Sequence, residues 1–437
     1  MGNLTVSKFS GSSLSDSENV VRAMQIIKSD SSRRFVIISA PGKTSGEIGI
    51  TDMLYMCHSG SANRENYNDI LERVRKRYES IIDALGMNFD LEAEIKPLEK
   101  DLISGMSADH IAGRGEYIMA GIIAAYLGWE RVDAADIIRF DNDGTLNESE
   151  TIRLSRDKLS NMAHAVIPGF YGAKQNGETK TFPRKGGDIT GGLIARSVNA
   201  DLLEKWNLKT EIFSADPETV NDPAMIRTLT YSEALALNYA GIKTIHDSVI
   251  MLLKDTDMNV RVRSISMPDD EGTLITSEKK DIAGAVCITG RQKFNIIHIE
   301  KHGVNKICGI GEKLLGVFTK HKIACEHFLS GIHKLSFVLK TPTFDLRRNE
   351  ILNDIRQAVS PESITVDDSL SLIAVIGNGM GTVKGKFAKI FSSLYGTDIN
   401  IRMVDQGADD LSIILGVDDK DYHKAVNALY ANMIVKG

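Results

Sequence analysis

The sequence lacks the features that would assign it to a membrane, secreted or metal-binding class. No uninterrupted apolar run approaches the roughly 18 residues that span a bilayer, and the first residues, Met-Gly-Asn-Leu-Thr-Val, show no basic stretch followed by an apolar one. The four cysteines, Cys57, Cys287, Cys308 and Cys325, form no Cys-x-x-Cys pair. These absences argue against a membrane span, a secretory signal, a zinc ribbon and a disulfide framework, and they favour a reducing cytoplasm.

The chain also lacks an excess of positive charge. Its 52 Lys and Arg residues are outnumbered by 58 Asp and Glu residues, which gives a net charge of −6. Nucleic acid is therefore a poor candidate partner, because a surface that neutralises a run of phosphates needs clustered cations. The Ser-His-Asp and Cys-His patterns that indicate acyl transfer are missing from any recognisable context. A small anionic substrate fits this composition better.

The sequence divides into two parts that differ in their pattern of predicted strands and helices. Its 437 residues suggest about two to four domains. In residues 1–278, apolar strands such as 35–40 alternate with helical segments, which predicts an α/β domain with a mainly parallel sheet. Residues 281–360 and 366–437 each read as a small α+β unit of βαββαβ type, with Phe318 and Phe391 at matching helix positions. Two unrelated α+β segments remain the alternative.

Three short segments have the residue types that bind anions or amines. Lys8 ends the first predicted strand and is followed by Ser10-Gly-Ser-Ser13, a loop whose backbone N–H groups suit a phosphate. The run from Phe182 to Gly192 places two cations, two glycines and Asp188 at a helix N-terminus. Glu116 follows Gly113-Arg-Gly and opens an apolar helix, as a dipole partner or as the acceptor for an ammonium group. On the residues alone, ordinary turns and an exposed lysine remain the alternative readings.

The order of these segments resembles that of the aspartate kinases, members of the amino acid kinase family with tandem C-terminal ACT domains. The resemblance extends over nearly the whole chain. Six segments carry it: Val6–Ser13 is similar to KFGGTS, Ile38–Leu54 to the SA…TD segment, Gly113–Glu116 to SxGE, Gly169–Asp188 to GFxG…GRGGSD, Ser214–Pro217 to TADP, and Gly241–His246 to GAKVLHP.

Several positions depart from the family pattern. Ser10, Gly113, Lys185 and Gly187 replace the family's Gly, Ser, Gly and Ser. The Thr-Asp pair that helps to hold ATP falls on Asn207-Leu208, and the nearby Tyr and Arg positions carry Phe213 and Glu218. We therefore expect the phosphate and aspartate sites to follow the family more closely than the adenine site does.

The resemblance implies an ATP-dependent kinase that phosphorylates the β-carboxylate of L-aspartate, giving 4-phospho-L-aspartate, the first step toward lysine, threonine and methionine. It implies Mg²⁺ bound mainly through the nucleotide phosphates, with no metal-ligating side chain assigned. The implied catalytic residues are Lys8 and Asp188. The implied ATP-binding residues are Lys8, Ser10, Gly11, Ser12, Phe213 and Lys243, and the implied substrate-binding residues are Ser39, Thr51, Glu116, Arg184 and Gly187.

The ACT pair implies feedback inhibition by an end-product amino acid, lysine or threonine, with Glu326 and Ser330 near the effector. It also implies a homodimer, or a dimer of dimers, formed through the ACT domains. Two other functions stay open: an amino acid kinase with another carboxylate acceptor, such as glutamate, and a non-catalytic regulator that binds amino acids.

Overall fold

The computed structural model describes residues 3–183, 186–209, 212–278, 285–380, 384–406 and 410–434. The chain forms two compact units. Unit 1 comprises Met1–Ile212, Arg227–Leu235 and Lys243–Lys279, and unit 2 comprises Phe213–Ile226, Ala236–Ile242 and Lys280–Gly437. The domain limits 1–278, 281–360 and 366–437 stay a proposal. No helix within the described residues is both long and apolar enough to cross a membrane.

The elements of unit 1 alternate as the apolar pattern predicts. The strands are β1 (Thr5–Phe9), β2 (Arg33–Ile38), β3 (Glu130–Arg131), β4 (Arg139–Phe140), β5 (Ala165–Pro168), β6 (Tyr171–Lys174), β7 (Thr179–Thr181), β8 (Leu202–Asn207), β9 (Thr228–Thr230), β10 (Asn259–Ser264) and β11 (Thr273–Thr276). The helices are α1 (Ser17–Lys28), α2 (Ile50–Asn63), α3 (Asn68–Ala84), α4 (Glu92–Ile103), α5 (Ala108–Leu127), α6 (Ala134–Ile137), α7 (Glu148–Leu159), α8 (Gly186–Ser197), α9 (Tyr231–Ala240), whose last residues belong to unit 2, and α10 (Asp247–Leu253).

The central sheet of unit 1 has the strand order β3-β5-β2-β1-β8-β10-β11-β9, and its pairs are parallel except for β10 with β11. Strand β1 is buried throughout, as expected for a central strand covered on both faces. Lys8 on β1 lies in register with Ile37 on β2 and with Lys205 on β8. Because the carboxyl ends of parallel strands meet at one edge, the loops after β1, β2 and β8 lie together there.

Unit 2 is built on a six-stranded antiparallel sheet with the order β13-β14-β12-β15-β17-β16. Its elements are β12 (Cys287–Glu300), α11 (Ile310–Lys320), β13 (Cys325–Ser330), β14 (Lys334–Lys340), α12 (Thr341–Asp345), α13 (Arg348–Val359), β15 (Ser363–Ile376), α14 (Lys386–Leu394), β16 (Ile401–Gln406), β17 (Ser412–Asp418) and α15 (Tyr422–Met433).

The two βαββαβ repeats of unit 2 share their long strands. Residues 294–300 of β12 pair with β14 and with the first half of β15. Residues 287–291 of β12 pair instead with the second half of β15, which also pairs with β17. The break between the halves falls where Lys293 and Ser369 adopt positive φ angles of 69° and 61°. Residues 287–291 therefore complete the sheet of the second repeat, although they come before the first repeat in the chain.

A buried ion cluster ties β8 to its neighbours in unit 1. The Glu204 carboxylate accepts hydrogen bonds from Arg33 Nε at 2.7 Å and from Arg263 at 3.2 Å. It also accepts from the hydroxyl of Ser7 at 2.9 Å and from the indole of Trp206 at 3.0 Å. Burial opposes ionisation, but the hydrogen bonds and charge of Arg33 hold the pKa of Glu204 below its ordinary value. The carboxylate stays charged and fully bonded.

Replacing Glu204 by alanine should destabilise unit 1 by about 3–5 kcal/mol, because the buried guanidinium of Arg33 and the partly buried one of Arg263 would lose their counter-charge. The free energy of unfolding is measured in urea by tryptophan fluorescence, since Trp129 and Trp206 both lie in unit 1. Arg153→Ala, which breaks an exposed ion pair with Glu150 on α7, is the control and should change stability by less than about 0.5 kcal/mol. Equal losses in the two variants would contradict a stabilising role for the cluster.

Candidate active site

The centre of the candidate site is a buried carboxylate held between two lysines. Asp188, in the first turn of α8, has its Oδ1 atom 2.7 Å from Lys8 Nζ and its Oδ2 atom 2.8 Å from Lys205 Nζ. The Asp188 side chain is 2% exposed. Burial alone would raise the pKa of Asp188, but the ammonium groups of Lys205 and Lys8 hold it well below its ordinary value. Two ammonium groups and one carboxylate leave this cluster with one net positive charge.

Glycines let the loops and α8 approach Lys8 closely. A Cβ atom on Gly187 would lie 3.2 Å from Lys8 Cε and 3.3 Å from Ser39 Oγ. A Cβ atom on Gly42 would lie 2.5 Å from the carbonyl oxygen of Gly11, whose hydrogen bond from the Gly42 N–H is 2.8 Å long. The start of α8 therefore lies against the Lys8 side chain and Ser39, and the loops after β1 and β2 contact each other.

The loop after β1 is fastened at the edge of the sheet. Ser10 caps a 3₁₀ turn (Gly11–Leu14) by accepting a hydrogen bond from the Ser13 N–H, and its hydroxyl lies 2.8 Å from that of Ser12. Ser12 Oγ accepts a 3.4 Å hydrogen bond from the N–H of Leu208, while the hydroxyls of Ser264 and Ser266 both donate to the Leu208 carbonyl. The segment that departs from the family's Thr-Asp pair is thus held by serines.

Glu116, on α5, is the second functional group of the site. It is 4% exposed; one carboxylate oxygen accepts a 3.4 Å hydrogen bond from the Thr51 hydroxyl, and the other has no hydrogen-bond partner among the described residues. Burial raises the pKa of Glu116 to about 8, although the backbone of Ala40, the hydroxyl of Thr51 and the charge of Lys8 act in the opposite direction. A desolvated carboxylate with an unpaired oxygen is suited to receive an ammonium group.

Three predicted site residues are not joined to this cluster by the described contacts. Arg184 lies outside the described residues. Phe213 belongs to unit 2, where it forms an isolated β-bridge with Met225. Lys243 is an exposed residue of unit 1 that follows α9. The roles expected of these three residues in binding aspartate or ATP stay predictions.

Lys205 is the site residue that sequence reasoning missed. The sequence feature that could have indicated it is a lysine within the segment Leu-Leu-Glu-Lys-Trp-Asn, which forms a strand that is buried at its centre. Burying an ammonium group is unfavourable unless a counter-charge compensates it, so a central-strand lysine indicates a buried partner. The identity of that partner follows only from the register of β8 with β1.

The predicted effector residues lie on β13 in unit 2. Glu326 accepts a 2.8 Å hydrogen bond from Arg291, lies 3.3 Å from Lys340 Nζ, and accepts a 3.3 Å hydrogen bond from the Tyr239 hydroxyl. Burial opposes ionisation of Glu326, but Arg291 holds its pKa below the ordinary value. Ser330 ends the strand and is exposed. Glu326 is therefore a charged group that already has donors around it.

The arrangement in unit 1 can bind a phosphate chain beside an amino-acid-like acceptor. The positive cluster and the backbone donors of the loop after β1 suit the phosphates, and Glu116 suits an ammonium group. The described residues contain no group of three or more His, Cys, Asp or Glu placed to bind a metal, and both oxygens of Asp188 contact lysines. The fold and site thus define the class of α/β phosphotransferases.

Comparison with known proteins agrees with this class. The amino acid kinase family model matches residues 3–264, and an ACT domain model matches residues 373–433. The chain is 29% identical to aspartokinase 3 of Bacillus subtilis, over 98% of both chains, and 22% identical to the lysine-sensitive aspartokinase 3 of Escherichia coli, over 99% of this chain and all of that one. The crystal structure of Clostridium acetobutylicum aspartate kinase superposes with a TM-score of 0.93 at 35% identity, covering 99% of this chain and all of the other.

The chain belongs to the amino acid kinase family, and its full-length matches place it among the aspartate kinases of that family. The resemblance found in the sequence, the α/β kinase fold with a mainly parallel sheet and the C-terminal ACT domains are confirmed.

The raised pKa of Glu116 predicts a pH dependence of activity. If Glu116 binds the substrate ammonium only when ionised, kcat/KM for aspartate should rise about tenfold per pH unit from pH 6 and level off near pH 8. Glu116→Gln should lower kcat/KM and remove this rise. Initial rates at subsaturating aspartate from pH 6 to 9 provide the measurement. Persistence of the same rise in the glutamine variant would assign it to another group.

The same pKa shift has a consequence for stability. The folded protein holds a proton on Glu116 up to about pH 8, whereas the unfolded chain releases it near the ordinary pKa of a glutamate. The stability that the protonated Glu116 contributes is therefore complete below that ordinary pKa and declines as pH rises to about 8. Glu116→Gln should therefore gain stability over the wild type, by a few kcal/mol at most, at pH 8.5 but little at pH 5. Thermal unfolding of both proteins at the two pH values tests this, and a gain independent of pH would contradict it.

Proposed function

We propose that the chain transfers the γ-phosphoryl group of ATP to the β-carboxylate of L-aspartate, giving 4-phospho-L-aspartate and ADP. The observation that carries this proposal is the pairing of a net-positive Lys8–Asp188–Lys205 cluster with Glu116, whose buried carboxylate has one oxygen without a partner. The cluster suits the transferred anion, and Glu116 suits the ammonium group that distinguishes an amino-acid acceptor from a simple dicarboxylate.

The acceptor carboxylate is already ionised at neutral pH, so the reaction needs no general base. The difficulty is the approach of one anion to another, which makes charge neutralisation and alignment the main sources of catalysis. Lys8 would contact the transferring group, with Asp188 holding its ammonium in place. Glu116 and Thr51 would orient the substrate from its amino end, and Arg184 would hold its α-carboxylate.

The nucleotide-binding set extends from Lys8 to the loop after β1. Ser10, Gly11 and Ser12 would offer backbone N–H groups and hydroxyls to the phosphates, and Phe213 and Lys243 complete the proposed set. The adenine would be bound differently from the family pattern, beside the serine-anchored Asn207-Leu208 segment. Mg²⁺ would be bound mainly through the nucleotide phosphates and would supply further charge neutralisation.

We further propose that unit 2 is a regulatory unit that binds an end-product amino acid, lysine, of the pathway to lysine, threonine and methionine. One related protein supports this: the Escherichia coli relative is described as lysine-sensitive, and its structure has been solved with lysine and aspartate bound. A homodimer or dimer of dimers, formed through the ACT domains, is the proposed assembly.

Incubation with MgATP, aspartate and hydroxylamine tests the proposed reaction, because an acyl phosphate of aspartate is trapped as aspartate hydroxamate. The proposal expects hydroxamate from aspartate and far less from glutamate. Product only with glutamate would indicate another acceptor, and product with neither would favour a non-catalytic regulator.

Lys8→Ala should lower kcat about 10²–10³-fold, with a much smaller change in the KM for aspartate, because Lys8 contacts charge that develops in the transition state. The control is Lys76→Ala, which removes a lysine that is 69% exposed on α3 and should leave the kinetics unchanged. A defect confined to KM would make Lys8 a substrate-binding residue instead.

Lysine should inhibit the wild type, with a coupling to substrate of about 5–150-fold in affinity. Glu326→Ala should weaken that inhibition and leave the uninhibited kcat nearly unchanged, because Glu326 lies in unit 2 while Lys8, Glu116 and Asp188 lie in unit 1. Inhibition curves for lysine and threonine at fixed aspartate provide the measurement, with Ser330→Ala as a second variant. Identical curves for wild type and Glu326→Ala would remove Glu326 from the effector site.

A further inference from the structure

Lys205 is a buried cation that adds charge to the cluster but is given no role of its own in the function proposed above. It lies on the central strand β8, and its side chain is 10% exposed. Its ammonium group contacts Asp188 Oδ2 at 2.8 Å and donates a 3.1 Å hydrogen bond to the carbonyl oxygen of Thr244. Because strands β1 and β8 are parallel and Lys8 is in register with Lys205, both lysines present their side chains to the same face of the sheet. That face carries α8 and Asp188.

The charge balance of the cluster depends on Lys205. A pair made only of Lys8 and Asp188 would be neutral, and the carboxylate would cancel much of the attraction of Lys8 for a phosphate. With Lys205 on the second carboxylate oxygen, the cluster keeps one positive charge in a site where little water screens it. We propose that Lys205 is a positioning residue for phosphoryl transfer: it balances Asp188, so that Lys8 remains an effective cation toward the transferring group.

This inference rests on the proposed kinase function, and it competes with a simpler structural role. In that role, Lys205 would serve only to hold the carbonyl oxygen of Thr244, in the segment between α9 and α10, in place. The two roles need different properties of the side chain. Holding a carbonyl needs a hydrogen-bond donor, whereas balancing Asp188 needs a positive charge. Substitutions that separate donor from charge therefore distinguish the roles.

Three variants make that separation. Lys205→Met removes donor and charge, Lys205→Gln keeps a donor without charge, and Lys205→Arg keeps both. We expect kcat to fall about ten- to a hundredfold in the methionine and glutamine variants and to recover substantially in the arginine variant, while KM for aspartate changes little. Recovery by glutamine, or wild-type kinetics in the methionine variant, would overturn the proposal.

A double-mutant cycle tests whether Lys205 acts through Asp188. Once Asp188→Asn removes the carboxylate charge, Lys205→Met should cause less than about a twofold further loss of kcat. Losses that multiply fully in the double variant would show an independent role and overturn the proposal. Melting temperatures of all variants are measured in parallel, and kinetics are taken at a temperature where each is folded.

Binding of ATP in the absence of aspartate, measured by calorimetry, separates failure of this inference from failure of the proposed reaction. If the wild type forms no aspartate hydroxamate, the proposed reaction fails, yet Lys205 can still be judged by its effect on binding of a nucleotide that carries the γ-phosphoryl group. Lys205→Met and Lys205→Gln should then bind ATP at least about tenfold more weakly than wild type and Lys205→Arg. Equal ATP affinity in all four proteins would overturn the role of Lys205 without bearing on the hydroxamate result.

Discussion

The position of one carboxylate between two ammonium groups is the constraint on which the candidate site depends. Asp188 can hold Lys8 and Lys205 together only because strands β1 and β8 are adjacent, parallel and in register. The start of α8 must also lie against β1, which Gly187 permits, since a Cβ atom there would lie 3.2 Å from Lys8 Cε. Sheet topology and helix packing therefore fix the charge of the site before any ligand binds.

Two buried carboxylates of unit 1, Glu204 and Glu116, differ in how completely they are paired. Glu204 is buried and bonded to Arg33, Arg263, Ser7 and Trp206, and its pKa is lowered. Glu116 is equally buried, yet one of its oxygens lacks a partner among the described residues, and its pKa is raised to about 8. An uncompensated buried group opposes folding, and at a functional site it is poised to bind an opposite charge.

The sequence predicted those features that are local. The α/β texture, the loop after Lys8 and the ligand-type residues Asp188 and Glu116 could be found from periodicity and motif order. Lys205 and the Glu204 cluster could not, because their partners are brought together only by strand register. The Ser15–Glu18 spacing is typical of a capping box, but the N-cap of α1 is Asp16, which accepts a hydrogen bond from the N–H of Asn19. The sharing of β12 and β15 between repeats is non-local too, since it joins residues 287–291 to residues 372–376.

The chain passes from unit 2 back to unit 1 between Ile242 and Lys243. Segment Ala236–Ile242 belongs to unit 2, where Tyr239 donates a hydrogen bond to Glu326, and the chain returns to unit 1 at Lys243. One residue later, the Thr244 carbonyl accepts the hydrogen bond of Lys205, which contacts Asp188. The segment that carries Tyr239 is therefore continuous in the chain with the Thr244 carbonyl that bonds Lys205. A regulatory unit that binds a segment of this kind needs no ligand contact with the reacting groups to influence them.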